Sequence, residues 1–276
     1  MILSSPHVHT QFCDGKNTAE EMVLSALEHG FQSIGLSSHA KQYFDHQYAM
    51  DEEREEAYIR EVRRLQKKYE DKIRIWLGTE LDLFCTAEPS RFDYVIGSLH
   101  LIPTADSILG VDNTKERLLN ICDNVFDRDG IAMAIEYFRY YGAYIYSRRP
   151  HIAGHMDLIR KNNMEGDVFD ERDPRYRKAA LNALGMVKCA GSVIEVNTGA
   201  MARYGAKTPY PDRFLLEEWL NMGGEVILSS DCHRAQHIMT GYEQAVDLLL
   251  SVGYKTVKVL GTGNTLFETT ELKPIK

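Results

Sequence analysis

Short apolar segments rich in Ile, Val and Leu recur along the chain, and each is separated from the next by a polar or amphipathic stretch. Runs of this length are typical of strands that are buried on both faces of a parallel sheet. We therefore predict strands at Met1–Leu3, Ser33–Leu36, Ile73–Leu77, Tyr94–Gly97, His151–Ala153, Ser192–Val196, Glu225–Leu228 and Thr256–Leu260.

The stretches between these segments carry helical signals. Residues 18–29 open with Thr18 and Glu21, which have the spacing of a capping box, and they close at Gly30. Charged helices are predicted at about 51–70 and 174–190, and shorter ones at 215–220 and 245–251. Strand and helix therefore alternate along the chain.

This alternation predicts an α/β architecture. No strand is followed by a Gly-rich phosphate turn, which favours a closed barrel over an open dinucleotide-binding sheet. Residues 104–150 lack a strong strand signal but are rich in helix formers and tyrosines, so we predict a helical insertion there. We find no repeat or linker, and we expect residues 1–276 to form a single domain.

Composition narrows the function classes. An apolar share of 44% with only 8 prolines indicates a globular protein with a large core. The net charge of −8, with basic residues scattered, argues against a nucleic-acid partner. Five cysteines without CxxC spacing predict reduced thiols and a cytoplasmic location. No apolar run approaches the roughly 20 residues that span a bilayer, so we expect no membrane association.

Ionisable side chains stand where the predicted strands end. Residues two apart on a strand project to the same side, so Asp231 and His233 form a pair able to hold one cation. His7 and His9 repeat this spacing at the first strand. The candidate metal ligands are His7, His9, Asp14, His39, Glu80, His100, His155, Asp231 and His233.

These positions are far apart in sequence but are expected to meet in space. In a parallel barrel all C-terminal strand ends lie at one mouth. The candidate set contains six of the ten histidines together with three carboxylates. Burying so many polar groups without partners is costly, and shared cations remove that cost. The sequence therefore predicts a metal centre.

Glu80 is the predicted bridging ligand, because its two oxygens can bind two cations where a histidine cannot. Mixed histidine and carboxylate ligation suits Zn, Mn or Fe better than a thiolate site would. Cys232 points opposite to its neighbours Asp231 and His233, so we interpret it as buried packing.

The other histidines have different interpretations. His29 lies at a helix end, where it compensates the helix dipole. His46 and His237 lie in loop or helix positions, either exposed or in contact with substrate. His151 competes with His155 for one ligand place, but a strand ending before His155 would leave His151 near the bottom of the barrel.

The motifs together identify a family. The chain resembles the polymerase and histidinol phosphatase (PHP) superfamily over nearly its whole length, and specifically its histidinol-phosphate phosphatases. The resemblance rests on His-x-His-Thr at 7–10, Asp-Gly at 14–15, Ser-x-His at 37–39, Gly-x-Glu at 78–80, Gly-Ser-x-His at 97–100, Gly-His-x-Asp-Leu at 154–158, Glu-x-Asn at 195–197 and Ser-Asp-x-His at 230–233.

The resemblance implies a distorted (β/α)7 barrel and two or three divalent metal ions. Family members often carry an acid two residues before the first histidine, and here that place is Ser5. Carried over by motif, one cation takes His7, His9, Glu80 and Asp231, a second takes Glu80, His100 and His155, and a third takes Asp14, His39 and His233.

The resemblance also implies an activity: hydrolysis of L-histidinol phosphate to L-histidinol and phosphate, in histidine biosynthesis. A hydroxide that bridges two cations would attack phosphorus directly, since no activated Cys or Asp nucleophile motif is evident. Asp231 is the candidate proton-transfer group. The expected partner is a small-molecule phosphomonoester.

Several residues are candidates for substrate contact. Arg160 and Arg203 follow strand ends, and a guanidinium matches phosphate geometry, although either arginine also suits a surface ion pair. Glu195 and Asn197 end a strand on its inward face, where they orient ligands or bind substrate; we count Asn197 with the substrate contacts. The tyrosines of residues 137–146 suit an imidazole and an ammonium group, and equally suit ordinary packing.

Rival functions stay open from the residues alone. The same metal platform serves protein tyrosine phosphatases, nucleotide phosphatases and 3′-exonucleases. A catalytically silent metal-binding scaffold is a further alternative, although a degenerate site should lack ligands. An amidohydrolase would use a bridging lysine at a strand end, and we find no lysine in such a place.

Overall fold

The computed structural model describes residues 2–42, 47–104 and 108–275. Its strands are β1 (Ser4–Ser5), β2 (Ser33–Leu36), β3 (Arg74–Leu81), β4 (Tyr94–Gly97), β5 (Leu101–Pro103), β6 (Ile108–Gly110), β7 (Ile152–Ala153), β8 (Val193–Asn197), β9 (Val226–Ser229), β10 (Thr256–Leu260) and β11 (Phe267–Glu271). Its α-helices are α1 (Ala19–Glu28), α2 (Glu52–Lys68), α3 (Lys115–Val125), α4 (Gly130–Arg148), α5 (Pro174–Ala190), α6 (Gly199–Tyr204), α7 (Arg213–Asn221) and α8 (Tyr242–Val252).

The main sheet has nine strands in the order β1-β2-β3-β4-β7-β8-β9-β10-β11. Neighbouring strands from β1 to β10 pair in parallel, and β11 pairs antiparallel to β10. The C-terminal ends of the parallel strands therefore lie at one end of the sheet. This arrangement confirms the predicted α/β class.

The sheet curls so that its first and seventh parallel strands meet. Val8, just after β1, forms a parallel bridge with Cys232, just after β9, and the backbone N–H of His9 donates to the carbonyl of Cys232 over 3.0 Å. At the opposite end, Ser4 Oγ accepts from the backbone N–H of Leu260 in β10 over 3.1 Å. A ring of seven parallel strands results, with β10 and β11 continuing the sheet beyond it.

Because side chains alternate along a strand, one face of each strand points into this ring, and the candidate site lies on that side. Trp76 and Glu80 lie on the same face of β3, and Val193 and Glu195 lie on the same face of β8. Apolar side chains from six strands pack together on this face, apart from the larger core between sheet and helices. This inner cluster consists of Trp76, Tyr94, Ile96, Ile152, Val193, Ile227 and Leu260.

Most predicted strands are observed. The bounds of β2, β4 and β10 agree with the prediction, and β3 extends further, to Leu81. The hairpin of β5 and β6 and the strand β11 were not predicted. β11 reads FETTE and lies at the sheet edge with half-exposed polar side chains, so it has no apolar run to mark it.

Helix boundaries follow their capping signals. Thr18 Oγ1 accepts from the backbone N–H of Glu21 over 3.2 Å, and Glu21 Oε2 accepts from the backbone N–H of Thr18 over 2.7 Å, which confirms the predicted capping box. At α5, Asp173 caps the N-terminus and Gly191 ends the helix in the left-handed conformation.

The predicted helical insertion consists of α3 and α4, preceded by the β5–β6 hairpin. The tyrosines of α4 mostly point into the core. The hydroxyl of Tyr141 donates to the carbonyl of Gly154, and that of Tyr144 donates to the carbonyl of Leu81, each over 2.8 Å. Tyr137 is also fully buried. These three tyrosines therefore serve packing, the second of the two interpretations.

Two global expectations can be compared with the structure. Within the described ranges, no helix combines the length and apolar character that crossing a bilayer requires. All five cysteines are free thiols, and Cys232 is buried as predicted.

Candidate metal centre

The predicted ligands converge at the C-terminal ends of the parallel strands. Ligand atoms from eight of the nine fall into three groups, and within each group these atoms lie within 4.8 Å of one another. The ninth, Asp231, contacts the same histidines. The structure places His7, His9 and Asp14 after β1, His39 after β2, Glu80 in β3, His100 after β4, His155 after β7, and Asp231 and His233 after β9.

Glu80 occupies the centre of the cluster. Its Oε1 lies 3.0 Å from His155 Nε2 and 3.7 Å from His100 Nε2. Its Oε2 lies 2.9 Å from His39 Nδ1 and 3.2 Å from His7 Nε2. The two oxygens of one carboxylate therefore face different sets of imidazoles, which is the geometry that a bridging ligand needs.

Asp231 also has two distinct sides. Its Oδ1 lies 3.1 Å from His9 Nε2 and 3.6 Å from His7 Nε2. Its Oδ2 accepts from Arg203 over 3.0 Å and from Asn197 over 3.2 Å. The backbone of Asp231 has a φ of 43°, a left-handed conformation that non-glycine residues rarely adopt. The fold therefore holds this carboxylate in a strained position at the cluster.

Asp14 completes a third group with three imidazoles. Its Oδ2 lies 3.1 Å from His233 Nε2, and its Oδ1 lies 3.8 Å from His39 Nε2. His9 belongs to this group as well, with its ring centroid 4.0 Å from that of His233. His9 therefore lies between the first and third of the ligand sets that the family resemblance implies.

Gly15 explains how the loop brings Asp14 to the cluster. A Cβ atom on residue 15 would lie 2.5 Å from the backbone nitrogen of Thr10 and 2.7 Å from the carbonyl carbon of His9. Because both are backbone atoms, they cannot move aside cheaply. The Asp-Gly motif thus permits a close approach that no other residue type allows.

The donor set fits divalent cations. Glu80 Oε2, Asp14 Oδ1 and His155 Nδ1 are buried and have no hydrogen-bond partner among the described residues. Unpaired buried carboxylate oxygens are costly unless a cation compensates them. The first two atoms face imidazole nitrogens across gaps that a cation would fill, and the mixture of nitrogen and carboxylate oxygen donors suits Zn, Mn or Fe.

The carboxylates and imidazoles of the cluster shift the pKa values of one another. Burial alone would raise the pKa of Glu80, but the neighbouring imidazoles, with His7 first, hold it well below its ordinary value. Burial would lower the pKa of His7, yet Glu80 and Glu195 raise it well above its ordinary value. Glu80 and Asp82 likewise outweigh burial and raise the pKa of His100 to about 9. The carboxylates are therefore ionised, and positive charge beside them stabilises this state.

A cavity of about 280 Å³ opens onto the cluster. Its wall contains several of the ligand residues together with two basic side chains, Lys161 and Arg203. Asp112 lies on the same wall, with its Oδ2 3.2 Å from Lys161 Nζ. Tyr204 forms part of the rim and is 46% exposed, with its ring 4.4 Å from Lys161 Nζ. The cavity thus offers positive, negative and aromatic contacts beside the ligands.

The two predicted arginines have different positions. Arg203 contacts the cluster directly, with Nη1 3.0 Å from His233 Nε2. The structure does not bring Arg160 there: its guanidinium contacts Asp157 at 2.8 Å, Glu171 at 2.7 Å and Asp212 at 3.3 Å. Three carboxylates surround Arg160 because the loops after β7 and β8 fold over it, so it ties these loops together.

Asn197 is fully buried and is absent from the described residues that line the cavity. Its side chain contacts Glu195 and Asp231, so the structure does not place it where a substrate would lie.

Three of the remaining histidines belong to none of the three ligand groups. His151 is exposed and its Nδ1 accepts from the backbone N–H of Val95 over 3.1 Å, at the start of β4. His29 is the exposed C-cap of α1. His237 lines a neighbouring depression that Asp14, Arg203 and His233 also line, and His46 lies outside the described residues.

The PHP domain family matches residues 5–199, more than half of the chain. The chain belongs to this family. A probable histidinol-phosphatase of Schizosaccharomyces pombe is 26% identical, covering 94% of this chain and 90% of that protein. The histidinol-phosphatase of Bacillus subtilis is also 26% identical, covering 86% and 96%.

Solved structures share the fold of this PHP chain. A Listeria monocytogenes protein aligns with a TM-score of 0.73 at 19% identity, covering 88% of this chain and 99% of that one. The histidinol phosphate phosphatase of Lactococcus lactis, whose structure contains zinc, L-histidinol and phosphate, aligns with a TM-score of 0.65 at 19% identity, covering 94% and 97%.

Sequence reasoning missed a residue that supports the PHP cluster. Asp82 Oδ2 accepts from the backbone N–H of His100 over 2.7 Å and from its ring Nδ1 over 2.9 Å. Such a carboxylate fixes the ring orientation of a ligand histidine. The signal was available, because Asp82 stands two residues after Glu80, the same spacing that marks Asp231 and His233.

Proposed function

We propose that this chain is a metal-dependent phosphomonoesterase that hydrolyses L-histidinol phosphate to L-histidinol and phosphate. The observation that carries the proposal is the position of Glu80, whose two oxygens face separate imidazole sets beside a cavity with two cationic side chains. The curated relatives named histidinol-phosphatase and the zinc, L-histidinol and phosphate of the Lactococcus structure support the substrate.

The proposed cofactors are two or three divalent cations, Zn, Mn or Fe. When bound, such cations lower the pKa of a coordinated water and neutralise charge on phosphoryl oxygens. The described residues would hold them in three sets, of which the first two share Glu80. The sets are His7, His9, Glu80 and Asp231; Glu80, His100 and His155; and Asp14, His39 and His233, with His9 close by.

Arg203 and Lys161 are the proposed phosphate contacts. Both line the cavity, and Arg203 reaches Asp231 and His233 with one edge of its guanidinium. A fork of donors beside the ligands orients a phosphoryl group for in-line displacement. We leave Arg160 out of this set, because its guanidinium is already surrounded by carboxylates.

Asp112 is the proposed contact for the ammonium group of the substrate. Four carboxylates line the cavity, and Asp14, Glu80 and Asp231 face imidazoles of the cluster, which leaves Asp112 for another partner. The pKa of Asp112 lies below its ordinary value, since His100 and Lys161 outweigh the effect of burial, so it carries negative charge. The exposed ring of Tyr204 provides a face on which an imidazole can stack.

Asp231 is the proposed proton-transfer group. It lines the cavity, and Arg203 and Asn197 hold its Oδ2 while its Oδ1 faces the ligand set. A carboxylate held this way can accept a proton from the attacking water as the new phosphorus–oxygen bond forms. It can return that proton to the L-histidinol oxygen as the ester phosphorus–oxygen bond breaks, which gives L-histidinol and phosphate. A covalent phosphoenzyme is not needed. Burial raises the pKa of Cys232 to about 12 and also raises that of Cys13, so neither thiol is an activated nucleophile.

We further propose that residues 1–276 form one domain and that the protein works in the cytoplasm. The five free thiols support this location, because reduced cysteines are typical of that compartment.

The substrate is tested with a panel of phosphomonoesters. Phosphate release is measured from L-histidinol phosphate, phosphotyrosine, nucleoside monophosphates and p-nitrophenyl phosphate under the same metal loading. We expect kcat/KM to be highest for L-histidinol phosphate. A higher value for phosphotyrosine or a nucleotide would contradict the proposed substrate, and no release from any ester would favour a non-catalytic scaffold.

A further inference from the structure

Glu195 is a fully buried carboxylate on β8 that belongs to none of the three ligand groups. Its Oε1 accepts from His7 Nδ1 and from Ser229 Oγ, each over 2.6 Å. Its Oε2 accepts from the backbone N–H of His155 over 2.8 Å and from Asn197 Nδ2 over 3.0 Å. Glu195 thus touches two predicted ligands without facing the cavity itself.

The contact with His7 determines which ring nitrogen faces the cluster. A carboxylate oxygen accepts, so Nδ1 donates to Glu195, and this leaves Nε2 facing Glu80 Oε2, 3.2 Å away, and Asp231 Oδ1, 3.6 Å away. A carboxylate at the second nitrogen of a ligand histidine fixes the tautomer of the ring and makes the first nitrogen a stronger ligand for a cation.

Asn197 extends the same network to Asp231. Its Nδ2 donates both to Glu195 Oε2, over 3.0 Å, and to Asp231 Oδ2, over 3.2 Å, and its Oδ1 accepts from the backbone N–H of Gly199 over 2.8 Å. One buried carboxylate is therefore linked to ligands on three strand ends.

Ser5, two residues before His7, offers no charge to the His7 ring. The Ser5 hydroxyl lies 3.0 Å from Ser230 Oγ and accepts from the Ser230 backbone N–H over 3.1 Å. Within residues 2–42, 47–104 and 108–275, Glu195 is the carboxylate that contacts Nδ1 of His7.

We propose that Glu195 is a positioning residue for one cation, acting on His7 directly and on Asp231 through Asn197. The inference rests on the proposed cation site and is independent of the substrate. Removing the charge of Glu195 while keeping its shape should lower the affinity for the cation held by His7, His9, Glu80 and Asp231. The other cations should stay bound.

The experiment compares Glu195→Gln with the wild-type protein. Zinc affinity is measured by competition with a chromophoric chelator, and ligand geometry is measured from the visible absorption of the cobalt-loaded protein. We expect one zinc equivalent to bind about 10- to 100-fold more weakly. We also expect altered cobalt bands. The metal-free protein should lose some thermal stability, because the amide nitrogen cannot accept the hydrogen bonds that both oxygens of Glu195 accept.

The matched control is Glu55→Gln. Glu55 is also fully buried, but it contacts Lys41 and Arg91 on the outside of the barrel. Its substitution should leave zinc affinity and the cobalt spectrum unchanged while lowering thermal stability. A similar change of zinc affinity in both variants would mean that the loss reflects general destabilisation, and that result would overturn the inference.

Wild-type zinc affinity and cobalt bands in Glu195→Gln would also overturn it. If Glu195→Gln does not fold, Ser229→Ala decides the question, because it removes one donor to the Glu195 carboxylate. A several-fold weaker zinc equivalent in that variant supports the inference, and an unchanged one refutes it. Absence of zinc binding in the wild-type protein would instead refute the proposed cation site.

Discussion

Arg203 donates to Asp231 Oδ2 over 3.0 Å, on the side of this carboxylate that is turned away from the histidines. The same guanidinium lines the cavity. The pair therefore joins the ligand cluster to the space in which a phosphate would lie, and we propose two functions for the arginine: orienting a ligand and binding an anion.

Replacing Arg203 by lysine should lower kcat/KM for L-histidinol phosphate by about 100-fold, because one ammonium cannot reproduce the fork of donors. Steady-state phosphate release measures the effect. Arg160→Lys is the matched control; it should leave kcat/KM near the wild-type value and cost about 1–3 kcal/mol of stability by weakening its contacts with Asp157, Glu171 and Asp212. An equal loss of activity in both variants would contradict the assignment.

Asp112→Asn tests the proposed ammonium contact. We expect KM for L-histidinol phosphate to rise by about 10- to 100-fold, because the variant loses one hydrogen bond to a charged group. Kinetics with p-nitrophenyl phosphate, which has no ammonium group, provide the control and should change little, although Asp112 also contacts Lys161. A parallel loss with both esters would show that Asp112 acts on the phosphate side instead.

Gly199→Ala tests whether Asp231 must keep its position. A Cβ atom on residue 199 would lie 2.8 Å from Asp231 Oδ2 and 2.9 Å from its Cβ, so the carboxylate has to shift. We expect at least about a 10-fold fall in kcat, from the misplacement of a reacting group. In the control Gly185→Ala, the new Cβ meets nothing within 4 Å, and the change should add about 0.5–1 kcal/mol of helix stability with full activity. Wild-type kcat in Gly199→Ala would reject the requirement.

Glu80→Ala should remove two cations at once, because one carboxylate oxygen faces His155 and the other faces His7. Elemental analysis should show the loss, and kcat should fall by at least about 1,000-fold. A protein that loses one cation only, or keeps full turnover, would reject the bridging role of Glu80.

Much of this site could be predicted because its ligands recur at the ends of successive parallel strands. His7, Glu80 and His233 stand at the ends of parallel strands, and strand direction alone brings such positions to one mouth. Short apolar runs likewise marked β2 and β4 correctly. The approach of His9 to Asp14 was not expected, because it depends on the course of a loop that no periodicity describes.

The substrate side could not be predicted in the same way. Arg160 and Arg203 both follow strand ends, yet one turns to the carboxylates of neighbouring loops and the other turns to the cluster. Asp112 comes from the insertion after β6, where chain direction depends on a short hairpin. Side chains on loops take their direction from tertiary contacts, which a single sequence does not record.

The most direct measurement is phosphate release from L-histidinol phosphate by protein that has been dialysed against a chelator and then reloaded stepwise with zinc or manganese. We predict no detectable turnover by the metal-free protein, and activity that returns in proportion to the second and third equivalents of bound metal. Full turnover by a preparation shown by elemental analysis to contain no metal would contradict the account.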